Sequence, residues 1–158
     1  MVLRNEPLTL KLDDVTAIDI TEIEQAVLAA LQDTSRLEEI AKSSYSHQNG
    51  FDKYPLETKN GEKFRLHLYP VGAKADENIH NHRWDFESKV ICGTLPMHLY
   101  EITEGDTHYC HTYTRKGRMY SVDLQRKVGV VETPLINIEA GKKYVMRNTL
   151  HHKIAPVK

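Results

Sequence analysis

The apolar positions change their period once along the chain. Ile23, Val27, Leu28 and Leu31 recur at three- and four-residue steps, the spacing that stacks side chains on one face of a helix. Thr21-Glu22-Ile23-Glu24 has the form of a capping box, in which hydroxyl and carboxylate satisfy orphan N–H groups of the first turn. Together these predict a helix over residues 20–33. A second box, Ser35-Arg36-Leu37-Glu38, predicts a shorter helix that fades between Ser43 and Asn49. Gly50 then ends the helical signals.

From Lys63 onward the chain divides into short runs rich in β-branched and aromatic residues. Turn signals separate them at Asn60-Gly61, Gly72, Gly93, Glu104-Gly105-Asp106, Lys116-Gly117 and Ala140-Gly141. Strands are expected near 63–70, 79–84, 87–92, 96–103, 107–114, 118–124, 127–132, 134–138, 143–147 and 151–156. Many short strands at close spacing build an antiparallel sandwich or barrel. The expected fold is therefore all-β, an antiparallel β-barrel with two N-terminal α-helices packed outside it. A length of 158 residues suits one domain over 1–158, with 1–50 as helical cover and 51–158 as barrel.

Composition narrows the function classes. Hydrophobic residues make up 40 % and charged residues 27 %, a globular balance. With 21 basic and 22 acidic residues the net charge is −1, so no broad positive field exists for nucleic acid or an anionic membrane surface. Neither is an expected partner. No run is long and apolar enough to span a bilayer, and the N-terminus lacks the pattern of a signal peptide. Cys92 and Cys110 cannot staple a fold of this size and form no Cys-x-x-Cys pair, so both read as small buried residues in a reducing cytoplasm. No P-loop, Gly-x-Gly-x-x-Gly, His-Glu-x-x-His or Gly-x-Ser-x-Gly motif is present.

The chemistry concentrates in nine histidines. On a strand, His80 and His82 point to the same face with Cα atoms about 6.5 Å apart, close enough to share a metal. Glu87 follows as a candidate fourth ligand and proton carrier. Residues 80, 82, 84 and 86 share a face, however, so Glu87 turns inward only across a bulge. Near the C-terminus, His151 and His152 are neighbours that face opposite sides of a strand, so one of them can join the site. His98 shares a face with Tyr100, and Arg65 shares one with His67 and Tyr69. If those faces line the barrel, Tyr100 donates to a bound oxygen and Arg65 pairs with a substrate carboxylate. Trp84 reads as a core aromatic in preference to a substrate platform.

These residues resemble the cupin superfamily. Its first motif places His-x-His before Glu and then Gly, as in His80, His82, Glu87 and Gly93, and its second ends in a His eleven residues after a Gly, as His152 follows Gly141. The pattern is most similar to cysteine dioxygenase-type cupins, through Gly61-Glu62-Lys63-Phe64-Arg65-Leu66, Ile79-His80-Asn81-His82, Gly93-Thr94-Leu95, and the eight residues from Tyr144 to His152. The resemblance implies a jelly-roll barrel, a metal held by His80, His82 and His152 with or without Glu87, and a homodimer formed by strand exchange. Three imidazoles suit Fe(II) and also Ni, Mn, Cu or Zn; the resemblance selects iron. It implies a mononuclear dioxygenase that uses O₂ on a small polar substrate, sulfur-containing in the nearest pattern. The alternatives are a metal-dependent lyase, isomerase or epimerase, and a non-catalytic ligand-binding cupin. In cysteine dioxygenases a cysteine stands in place of Glu87, and Asp52 to Glu57 lacks their carboxylate-binding arginine. Free cysteine is therefore not the expected substrate.

Overall fold

In the computed structural model, which describes residues 11–12, 20–59, 61–72, 77–117 and 119–157, the helical period becomes α1 (Ile20–Gln32) and α2 (Thr34–Ser43). The cap of α2 is Asp33, whose Oδ1 accepts from the backbone N–H of Ser35 at 3.0 Å and of Arg36 at 3.2 Å. Ser35 lies inside the helix and donates its hydroxyl to the same oxygen at 2.6 Å. The box thus placed the start two residues late, because an aspartate caps as well as a serine. At α1, Thr21 already lies within the helix, and residues 13–19 just before it are outside the described residues.

The first sheet is an antiparallel meander of β2 (Tyr45–His47), β3 (Phe51–Lys59) and β4 (Glu62–Leu68). Sequence pattern missed β2 and β3, since Pro55 interrupts the alternation of β3. A register shift between Pro55 and Glu57 absorbs the interruption, as proline in a strand requires. One face of this sheet buries Leu56 and Phe64 against Ala30 and Ile40 of the two helices. Arg36 donates to the Leu56 carbonyl, and Lys89 pairs with Glu24, so both helices are anchored outside the sheets, as expected.

The remaining strands form two further antiparallel sheets. One contains β10 (His151–Ile154), β6 (Thr94–Lys116) and β7 (Met119–Glu132), with β8 (Ile136–Glu139) on the start of β6. The other orders β1 (Lys11–Leu12), β9 (Lys143–Met146) and β5 (Phe86–Lys89). Between them lies the main core, built on the fully buried Met97, Leu99, Ile138 and Met146. Two glycine turns pin its edge: Ala140 N–H donates to Gly93 O at 3.0 Å and Gly141 N–H to Val90 O at 2.7 Å. Gly141 has φ 85°, a left-handed conformation that glycine adopts without steric cost. The architecture is predominantly antiparallel β with two helices. Its three sheets do not join into a closed barrel among the described residues.

Several expected breaks are not breaks. Residues 96–103 and 107–114 are one strand, β6, and 118–124 and 127–132 are one strand, β7, with Arg118 itself outside the described residues. Glu104-Gly105-Asp106 reads as a turn, but it is an irregularity between the Thr103–Gly129 and His108–Val128 pairs. The two backbones approach so closely there that a Cβ on Gly105 would lie 2.8 Å from the Gly129 Cα. Conversely, 79–84 is not a strand; only His80 forms an isolated bridge. Trp84 and Cys92 are exposed and Cys110 is half-buried, so none of the three occupies the expected buried position.

Gly129 provides a direct test of the crossing. A Cβ at that buried position would meet Thr103 Oγ1 at 2.5 Å and the Glu104 carbonyl oxygen at 2.6 Å. Gly129→Ala is expected to destabilise the fold by about 1–3 kcal/mol, the usual cost of overpacking, read as a lower urea midpoint at unchanged slope.

Candidate metal centre

His80 and His152, 72 positions apart in sequence, meet through their own backbones. His80 N–H donates to His152 O at 3.1 Å, and His152 N–H donates to His80 O at 2.8 Å. Such an antiparallel pair puts both side chains on the same side, and the two rings lie 4.5 Å apart. His82 joins them with its ring 5.0 Å from each. It reaches this place from a loop, not from the expected strand. Asp85 holds that loop: Oδ1 accepts from Asn148 N–H at 2.8 Å and Oδ2 from Arg147 at 2.8 Å, while Asn81 donates to the Asn148 carbonyl at 3.0 Å. The Asn148 and Arg147 bonds, in that order, hold the Asp85 carboxyl below its usual range.

One nitrogen from each of His80, His82 and His152 lies within 4.8 Å of the others, a donor spacing that suits one cation. Two further observations fit a metal. His80 Nδ1 sits 2.9 Å from the Asn78 carbonyl, which selects Nδ1–H and leaves Nε2 as the lone-pair donor, the usual tautomer control at a metal-ligating histidine. His152 is 4 % exposed, and its Nδ1 is the one buried side-chain polar atom without a hydrogen-bond partner among the described residues. Burial first, then the neighbouring His80 and His82, pushes His152 down to about 3. Burial, followed by His80, Lys53 and Arg65, brings His82 to about 4. Both imidazoles are neutral at pH 7 and present lone pairs.

Parity decides which other candidates reach the centre. His152 pairs with Leu99 across β10 and β6, whereas His151 pairs with Tyr100, so His151 and Tyr100 face the opposite side of the sheet. There the Tyr100 hydroxyl donates to Glu132 Oε2 at 3.2 Å, and Glu132 Oε1 lies 2.9 Å from His98 Nδ1. Tyr100 is thus placed away from the three imidazoles. Glu87 is also not brought to them, because Phe86 takes the inward position, packing on the His82 ring at 4.7 Å and on the core. Glu87 pairs in register with Val145 on the other face of β5. Burial raises its pKa, Lys143 acts against the rise, and Glu62 adds to it.

Arg65 does face the centre. The helix-free face of the first sheet carries Lys53, Arg65 and His67, and the charges of Lys53 and Arg65 contribute to the low pKa of His82. Phe51 packs between His47 and His67 on this face, 4.7 Å and 4.5 Å from their rings. Glu77, which the sequence reading passed over, joins this sheet to the centre. Its Oε2 accepts from Ile154 N–H at 2.6 Å, its Oε1 accepts from Asn49 at 2.8 Å, and Oε1 lies 4.0 Å from His80 Nε2. Only its burial distinguishes it from a solvated acid, and no sequence pattern reports that burial.

Two outcomes are expected. His80→Ala, His82→Ala and His152→Ala each lose most of the divalent-metal binding seen by titration calorimetry, whereas Glu87→Gln retains it. In metal-free protein, unfolded histidines protonate near 6.5 while His82 and His152 stay neutral down to about 4 and about 3. The unfolded state therefore binds more protons in that window, so stability falls as pH drops from about 6.5 to about 4. The urea midpoint tracks this loss, and a His82→Asn, His152→Asn double variant should show a smaller one.

No protein-family model matches the chain, and no curated protein or solved structure is significantly similar to it.

Proposed function

We propose that the chain is a cupin-type metalloenzyme, an Fe(II)-dependent dioxygenase acting on a small polar substrate that carries an anionic group. The observation that carries this reading is the convergence of three imidazoles, one of them buried with an unpartnered nitrogen. When bound, Fe(II) supplies open coordination positions and the redox couple that O₂ chemistry needs.

The chain's own residues supply the rest. His80 is held in one tautomer by the Asn78 carbonyl, and Phe86 keeps water from one side of His82. Lys53 and Arg65, on the sheet face turned toward His82, bind and orient the anionic group of the substrate. Tyr69 packs with its ring tilted 5.1 Å from that of Phe51, and burial, then Tyr144 and Glu77, hold its hydroxyl protonated far above neutrality. It therefore stays a hydrogen-bond donor at neutral pH. Glu87, the candidate proton carrier, is turned away from the imidazoles.

The test is oxygen uptake by iron-loaded protein with thiols, amino acids and aromatic acids as substrates. O₂ consumption that depends on His80 and His152 is expected. Arg65→Met should raise KM for acidic substrates about tenfold or more, the worth of one charge-assisted contact, with a smaller change in kcat. Full turnover under anaerobic conditions overturns the dioxygenase reading and assigns the centre to metal-dependent lyase or isomerase chemistry.

A further inference from the structure

The most unusual surface lies away from the metal centre. β8 pairs with residues 94–97 of β6 and β10 with residues 97–100, so from Glu101 onward the only strand partner of β6 among the described residues is β7. A two-stranded ribbon of this kind is marginal in water unless a face is covered.

The register shows that one face calls for cover. Tyr109–Lys127, His111–Leu124, Tyr113–Val122 and Arg115–Tyr120 pair on one side, with the shift after Cys110 keeping the apolar residues of β7 in phase with those of β6. Cys110–Arg126, Thr112–Asp123 and Thr114–Ser121 pair on the other. The alternation is that of a strand pair whose one side is packed and whose other side is wet. Yet Tyr109, Tyr113, Tyr120, Val122 and Leu124 are between 52 and 63 % exposed.

We propose that this aromatic face is a self-association surface, packing against the same face of a second copy of the chain about a two-fold axis. The order of the rows supports a second copy as the occupant. Each end row combines a tyrosine with a cation, Tyr109 with Lys127 and Tyr120 with Arg115, and the two middle rows each combine a ring with an aliphatic side chain, His111 with Leu124 and Tyr113 with Val122. Turned end for end, the face presents tyrosine and cation opposite tyrosine and cation, and ring with aliphatic opposite ring with aliphatic. That is the self-complementarity an isologous interface requires.

The cations suit the rim of such an interface. Lys127 Nζ lies 5.3 Å from the Tyr109 ring centre and the Arg115 guanidinium 5.9 Å from that of Tyr120. Their stems extend the apolar surface while the charged heads reach water.

The area is sufficient. Taking about 200 Å² for a whole tyrosine, the five apolar side chains expose roughly 500 Å². Two copies bury roughly 1,000 Å² from these side chains alone, the lower bound of a biological interface. This pairing stacks ribbon faces and exchanges no strand, and it is independent of the metal and of the proposed reaction.

The experiment is sedimentation equilibrium of the full chain over a dilution series. A dimer is expected for the wild type and for Thr112→Glu, which puts the same charge on the polar face. Val122→Glu and Leu124→Glu should halve the mass, with the circular dichroism spectrum and divalent-metal binding unchanged, since both positions are exposed. A wild type that stays monomeric at all concentrations, or a dimer that survives the Val122→Glu, Leu124→Glu double variant, overturns the proposal.

Discussion

The reciprocal backbone bridge between His80 and His152 is the contact on which the centre depends. Two hydrogen bonds align an irregular loop against the last strand, and the local geometry of an antiparallel pair then forces the two imidazoles onto one side. No long-range search by the side chains is needed. His82 follows because Asp85 ties the same loop to Arg147 and Asn148, immediately before β10. The backbone therefore does part of the work of assembling the three imidazoles during folding.

Burial adds a cost that a bound metal would offset. His152 sits in the core side of β10 with Ile154 and Leu150 nearby in chain, and its unpartnered Nδ1 leaves a desolvated polar atom in the folded protein. Glu77 shows the opposite arrangement, a buried carboxylate satisfied by Asn49 and Ile154 N–H. Through it the turn between β2 and β3 is fastened to the strand that carries His152. The sheet bearing Lys53 and Arg65 is thereby kept over the imidazoles, while the helices pack against its other face. The helical cover and the charged lining are two sides of one sheet.

Much of the centre was legible because it obeys short rules. His80 and His82 stand two apart, His152 was separated from His151 by strand parity and motif spacing, and Arg65 was placed on a shared face with His67. Parity counted against Glu87 from the start, and Phe86 does take the inward position, with Glu87 on the other face of its strand. For Tyr100 parity left the facing side open. Tyr100 lies on a true strand, but the choice of inner face is made by Leu99 and Met97 in the core.

By itself the sequence determined the local events: two amphipathic helices, a β-rich remainder, turns at Gly93 and Gly141, and a supply of imidazoles at strand-like spacing. These follow from backbone sterics and periodicity, which act over a few residues. Tertiary structure alone decided that Glu104 to Asp106 continue a strand, that Glu77 is buried, and which face of each sheet looks inward. Each of these depends on what lies opposite a residue across space, such as Gly129 against Gly105 or Ile154 against Glu77, and sequence neighbours carry no information about that partner.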